Sequence, residues 1–169
     1  IEDLNQALRL NPNLAEAYKN RGNARVLLGD TKGAIEDLNQ SLRLNPNDAN
    51  AYHTRGLVRV QSGDIKGAIE DLNQALRLNP NLAEAYVHRG FAHGLSGDIK
   101  GAIKDSNQAL RLNPNLAEAY LYRGSARVQS GDVKEGIEDL QKASDLFQQQ
   151  GKIAEYQYTL NLINKIDNR

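Results

Sequence analysis

Histidine is the residue type best suited to proton transfer or metal ligation near neutral pH, and this chain carries three, His53, His88 and His93. His88 and His93 are five apart, so they do not share one helical face as the four-residue spacing of a zinc-binding helix requires. Cysteine is absent, which removes disulfides and thiolate metal sites. No glycine-rich phosphate loop is present; the recurrent Gly-Asp pairs need only the backbone freedom of a tight turn. No catalytic constellation forms, so no enzymatic role, metal or cofactor is expected. His53 and His88 could approach each other as a weak metal site or a surface that gains charge in the ordinary imidazole range; polar lining is the plainer reading.

The elements that position these side chains follow from a period. Tyr18, Tyr52, Tyr86 and Tyr120 return at an interval of 34 residues, as do Gly22, Gly56, Gly90 and Gly124 and the Gly-Asp pairs at Gly29, Gly63, Gly97 and Gly131. Such a period marks small stacked units, each unable to bury its apolar face alone. Within a unit both halves read as helix: Ala34, Ile35, Leu38, Ser41 and Leu42 recur at spacings of three and four. Gly29 permits a tight reversal and Asp30 can accept from the free amides of the second helix. Leu-Asn-Pro-Asn, beginning at Leu10, Leu44, Leu78 and Leu112, ends each second helix because proline cannot continue it. Asn13 with Glu16, Asn81 with Glu84 and Asn115 with Glu118 resemble capping boxes; Asn47 is followed by Asn50, a weaker start.

The reading is therefore all-α, a single solenoid over 1–169. Residues 1–14 form a half repeat, full repeats span 15–48, 49–82, 83–116 and 117–150, and a capping helix lies in 151–169. The stripe Ile1, Leu4, Ala7 and Leu8 lacks a hairpin partner, a possible edge for homo-oligomer formation. In the capping helix Ile153, Tyr156, Leu160, Ile163 and Ile166 are expected inward, and Lys152, Glu155, Asn161 and Lys165 outward. The chain has no methionine and begins within a repeat, so it reads as a piece of a longer protein. With 21 basic and 21 acidic residues the net charge is zero, which disfavours nucleic acid and anionic membranes as partners. No apolar stretch reaches the roughly 18 residues of a membrane span, so a soluble, cytoplasmic chain is expected.

Tyr18, Gly22, Ala34, Leu38 and Pro46, repeated in register, resemble the tetratricopeptide repeat. That resemblance implies a right-handed superhelix whose first helices line a concave groove, and a scaffold that binds peptides or partner proteins. Two departures recur. Arg21, Arg55, Arg89 and Arg123 stand where the family usually has Leu, and Arg25, Arg59, His93 and Arg127 where it usually has Tyr. Each copy also carries an acid, Asp37, Asp71, Asp105 or Asp139. A guanidinium at a packed hairpin position is costly unless paired, so Arg21 with Asp37 and its three equivalents are expected as structural clasps; solvated charges are the alternative. On that basis Arg55→Leu with Asp71→Tyr should restore the stability that Asp71→Ala loses.

The copies differ mainly on their first helices: Lys19, Asn20 and Asn23; His53, Thr54 and Leu57; Val87, His88 and Phe91; Leu121, Tyr122 and Ser125. Each triplet forms a patch on one side of its helix. By resemblance these twelve residues point into the groove, which would grade from polar to apolar and suit a peptide with one end of each kind. The alternative is that Leu57, Phe91 and Leu121 pack against neighbouring helices. Some family members clamp a C-terminal carboxylate; Lys19 and Asn23 match the first part of that clamp, whereas Thr54, Glu84 and His88 stand in its other places. The third copy is distinct: Ser106 replaces Leu, Lys104 replaces Glu and Gly94 replaces Val. These changes either leave room around Phe91 or soften the stack. Self-assembly through the N-terminal edge, and single-stranded RNA binding by analogy with a 35-residue helical-hairpin family, are the competing functional classes.

Overall fold

The computed structural model describes residues 1–168, which form α-helices and turns with no strand among them. They fall into two compact units, Ile1–Leu82 and a second from Ala83 onward, divided between the second and third expected full repeats. The first unit holds α1 (Glu2–Leu10), α2 (Ala15–Leu27), α3 (Thr31–Leu44), α4 (Ala49–Gln61) and α5 (Ile65–Leu78). The second holds α6 (Ala83–Leu95), α7 (Ile99–Leu112), α8 (Ala117–Ser130), α9 (Val133–Gln149) and α10 (Ile153–Asp167). Consecutive helices pack as hairpins, α2 on α3, α4 on α5, α6 on α7 and α8 on α9; within a unit each hairpin packs on the next.

Every hairpin turns by the same device. Gly29, Gly63, Gly97 and Gly131 adopt φ between 75° and 98°, where a side chain would be strained. The amide after each reaches back five residues, as from Asp30 to the Arg25 carbonyl at 2.9 Å, closing the helix end. Asp30, Asp64 and Asp98 then accept from the amides of Gly33, Gly67 and Gly101. A Cβ at Gly33 would lie 2.2 Å from the Asp30 carboxylate, so this cap and this glycine require each other. The fourth copy drops both: Glu135 stands in the glycine's place and Asp132 caps no amide.

Between hairpins the proline stops hold, but the restart differs from the capping-box expectation. Leu14 and Leu116 are the N-cap residues of α2 and α8 and give no side-chain cap. The asparagine before each proline does the local work instead: Asn11 Oδ1 accepts from the Asn13 amide at 3.0 Å, and Asn45, Asn79 and Asn113 repeat this turn. The start expected to be weaker is the capped one, since Asp48 accepts from the Ala51 amide at 3.0 Å.

In the first unit Ala34, Leu38, Leu42, Ala51 and Val58 form one buried cluster. In the second, Leu121, Leu140, Ala143, Leu146 and Phe147 form another, on which Tyr156, Leu162, Ile163 and Ile166 of α10 pack. Ile153 is not inward as expected: it is 60% exposed at the start of α10. The fully buried Thr159 takes an inward place, its hydroxyl satisfied by donating to the Glu155 carbonyl at 2.7 Å. On α1, Leu8 is buried while Ile1 stays exposed.

Candidate functional site

The recurrent arginines and aspartates meet in every copy. Arg21 donates through Nε and Nη2 to the two oxygens of Asp37 at 2.8 and 2.6 Å, a forked contact. Arg55 with Asp71, Arg89 with Asp105 and Arg123 with Asp139 repeat it within 0.1 Å. Each guanidinium also lies over the ring of the tyrosine one turn earlier, 5.3–5.5 Å from its centroid. Its Nη1 crosses to the preceding second helix, where Asn5, Asn39 and Asn107 accept from Arg21, Arg55 and Arg123. The contact therefore ties neighbouring hairpins as well as the two helices of one hairpin.

Each carboxylate has a second basic side chain beside it that the pairing rule missed, an arginine in three copies. Arg25, Arg59 and Arg127 place Nη1 2.8–3.0 Å from Asp37, Asp71 and Asp139. Their spacing of one turn from Arg21, Arg55 and Arg123 was the available signal, because residues four apart share a helical face. In the third copy His93 takes this place, with Nδ1 3.1 Å from Asp98 and Nε2 3.7 Å from Asp105.

The variable positions divide by what covers them. In three of the four triplets the first residue is engaged by other helices of its own unit rather than left on open surface. Val87 is 3% exposed, beside Ala109 and Ala119, and Leu121 is 8% exposed, in the cluster with Leu140 and Ile163. Val87 is a packing residue, which corrects its assignment to the groove, whereas Leu121 packs in its cluster and also borders the pocket beside Phe91 and Tyr122. Lys19 at the same position is held by Glu16 at 2.8 Å and Asp48 at 2.9 Å, so its ammonium is already committed. Burial lowers its pKa, but the two carboxylates outweigh that and raise it. In the first unit His53, Thr54 and Leu57 are half-buried and Asn20 is exposed; Asn23 is half-buried with its Oδ1 shielded.

Asp48 offers a test of this ion pair. Burial pushes its carboxyl up, but Lys19 and the Ala51 and Asn50 amides more than offset this and hold it below the usual carboxylate range. A carboxylate with a folded pKa below its unfolded one stabilises at neutral pH, and that contribution disappears as pH falls through the folded value. Asp48→Asn keeps a capping oxygen and loses the charge. It is expected to cost about 0.5–1 kcal/mol at pH 7. Urea denaturation should show the difference from wild type closing as the pH is taken below the carboxylate range; an equal deficit at both ends contradicts this account.

In the second unit Phe91 of α6 and Tyr122 of α8 stack, with ring centroids 4.6 Å apart and planes inclined by 24°. Both are half-buried and line a pocket of about 200 Å³, which Gly94, Leu95, Gln129 and Tyr158 also border. Burial raises the Tyr122 phenol above its ordinary pKa, and Glu118 and Tyr158 add to the shift. Ser125 turns its hydroxyl back to the Leu121 carbonyl at 2.8 Å. Nearby, burial pushes the Glu118 carboxyl up, but Lys152 at 2.6 Å and the half-buried His88 hold it down. Among the described residues no group of three acidic or histidine side chains is placed to hold a metal ion, and no helix is long and apolar enough to cross a membrane.

Residues 22–63 and 56–97 match the family described as TPR repeat, and residues 92–151 match Tetratricopeptide repeat. The chain belongs to the tetratricopeptide repeat family. No curated protein matches its sequence. Among solved structures, a crystal structure of MamA is 26% identical, with a TM-score of 0.80 over 88% of this chain and 87% of that one. YrrB, described as a TPR protein with an unusual peptide-binding site, is 26% identical, with a TM-score of 0.73 over 85% and 74%. The first TPR of Spaghetti (RPAP3), bound to the HSP90 peptide SRMEEVD, is 25% identical, with a TM-score of 0.68 over 69% and 93%.

Against the tetratricopeptide repeat pattern, this chain replaces two habitual apolar or aromatic positions with basic side chains, two arginines in three copies and Arg89 with His93 in the third. It then places a carboxylate between them, so each copy exchanges an apolar contact for an ionic one. Of the pocket residues, Tyr158 lies on the non-repeated α10 and carried no periodic signal, and Leu95 and Gln129 share one repeat position with Leu27 and Gln61, where alternation of Leu and Gln did not mark them out.

Proposed function

We propose that this chain is a protein-interaction scaffold, and that it holds a peptide segment of a partner along the faces of its first helices. The stacked Phe91 and Tyr122 carry this reading. Two aromatic rings half-open to solvent at a pocket are the arrangement from which interface hot spots are built. The peptide-bound RPAP3 structure and the peptide-binding site named for YrrB support it. The surface positions left after the packing residues are removed are Asn20, Asn23, Thr54, Leu57, His88, Phe91, Tyr122 and Ser125, with His53 partly covered. Lys19 serves the fold through Asp48 rather than a peptide carboxylate.

The test is selection of a random peptide display library on the intact chain. Selected peptides are expected to lose about tenfold or more in affinity for Phe91→Ala, the ~1.4 kcal/mol of a moderate hot spot. The helical circular dichroism of the variant should be retained. Peptides that bind Phe91→Ala and Tyr122→Ala as tightly as wild type would overturn the reading.

A further inference from the structure

The pocket beside Phe91 exists because the third copy lacks side chains that the others keep. Gly94 stands where the other copies have Val26, Val60 and Val128. A Cβ built there would meet only the Ala102 Cβ, at 4.0 Å, so the missing valine leaves open space. Ser106 stands where Leu38, Leu72 and Leu140 press against Gly22, Gly56 and Gly124. Its hydroxyl is fully buried, has no hydrogen-bond partner and lies next to Gly90, itself a pocket residue. Both truncations thus remove volume on the same side of α6.

We infer that the Gly94 pocket receives one phenylalanine side chain of a bound partner peptide, within an uncharged stretch of that peptide. This rests on the scaffold reading above and specifies its occupant. The first argument is charge. No acidic, basic or histidine side chain lines the pocket, so a charged occupant would be desolvated with nothing to compensate it. The second is size. A cavity of about 150 Å³ holds benzene, whereas drug-sized ligands occupy about 300–1,000 Å³. At about 200 Å³ the pocket matches a phenyl ring with its methylene group. The third is chemistry: Phe91, Tyr122 and Tyr158 present ring faces and edges, which favour an aromatic guest over an aliphatic one of equal area. Gln129 and Ser125 at the same pocket can meet peptide amides.

The experiment is an amide-resolved NMR titration of the intact chain with N-acetyl-phenylalaninamide, N-acetyl-leucinamide and N-acetyl-lysinamide. The phenylalanine amide is expected to give saturating shifts at Gly94, Leu95, Ser125 and Gln129, the leucine amide weaker ones, and the lysine amide none. Gly94→Val, which restores the residue of the sister copies, should weaken the phenylalanine amide by about tenfold or more. Its melting temperature should stay equal or rise. Tyr158→Ala, at an exposed position, should retain the fold and lose part of the affinity. Undiminished binding to Gly94→Val, shifts confined elsewhere, or a leucine amide that binds as well as phenylalanine would overturn the inference. If the ring does not bind here yet selected peptides still require Phe91, the pocket assignment falls and the scaffold reading stands. If the ring binds here and no selected peptide requires Phe91, the pocket stands and the peptide reading falls.

Discussion

Asp71→Ala is expected to lower the unfolding free energy by about 3–5 kcal/mol, the range for removing one partner of a buried charge cluster. Asp71 is 3% exposed and receives three charged donors, Arg55 Nε and Nη2 at 2.8 and 2.6 Å and Arg59 Nη1 at 3.0 Å. Alanine leaves both cations facing an empty site. Arg55 suffers most, because its side chain is largely covered and only Asn39 and the Tyr52 face remain to it. Arg59 is more exposed and can turn toward Asp64, 3.6 Å away. This alters the expected rescue. Arg55→Leu with Asp71→Tyr removes the forked pair but not Arg59, so recovery should be partial and should improve when Arg59→Leu is added. Urea denaturation of the intact chain, with exposed Glu70→Ala as control at within about 0.5 kcal/mol, measures all of these. If Asp71→Ala shifts the midpoint no further than Glu70→Ala, the clasp has no structural role.

The period made the helices, turns and family legible, because a device used four times is read from its recurrence rather than from any one residue. Gly29 and its equivalents show this: a glycine followed by aspartate, always between two apolar-periodic runs, specifies a left-handed turn and a cap. What covers a helix face was less legible. Periodicity puts Val87 and Phe91, four residues and about 40° apart, on one side of α6, but a shared side does not say what stands opposite each residue. Val87 meets Ala109 and Ala119, with Tyr122 packed against the same cluster, whereas Phe91, one turn on, lies beside the pocket. Lys19 failed in a related way, since its partner Asp48 lies 29 residues on and in only one copy. The capping boxes expected at α2 and α8 do not form, and Asn11 and Asn113 satisfy the turn before each of those helices instead. The pocket could not be assigned because two small residues, Gly94 and Ser106, predict either a hole or a softer stack until the neighbours are placed.

Among the first-helix glycines Gly22, Gly94 and Gly124, the last is expected to be the one where an added methyl does most damage. Helix propensity alone favours alanine over glycine by about 1 kcal/mol, so each helical glycine must be judged on what its new Cβ meets. At Gly124 it would lie 2.8 Å from the Gly136 carbonyl oxygen, 2.9 Å from Leu140 Cγ and 3.1 Å from Asp139 Cβ. The nearest atom is backbone, and α9 has already been thinned there by a glycine where the other copies have Ala34, Ala68 and Ala102. The two helices can make room only by separating, which also stretches the Arg123–Asp139 contact. Overpacking of this kind costs about 1–3 kcal/mol, and its upper end outweighs the propensity gain. At Gly22 the first contact is Leu38 Cγ at 3.1 Å, a side chain that can turn, and the backbone lies at 3.4 Å, so Gly22→Ala should be near neutral. At Gly94 there is open space, and Gly94→Ala should stabilise by up to about 1 kcal/mol. Melting temperatures should therefore fall in the order Gly94→Ala, Gly22→Ala, Gly124→Ala, at about 2–4 °C per kcal/mol for a chain of this length. A Gly124→Ala protein as stable as Gly22→Ala would show that α8 and α9 do not approach as closely as their two glycines allow.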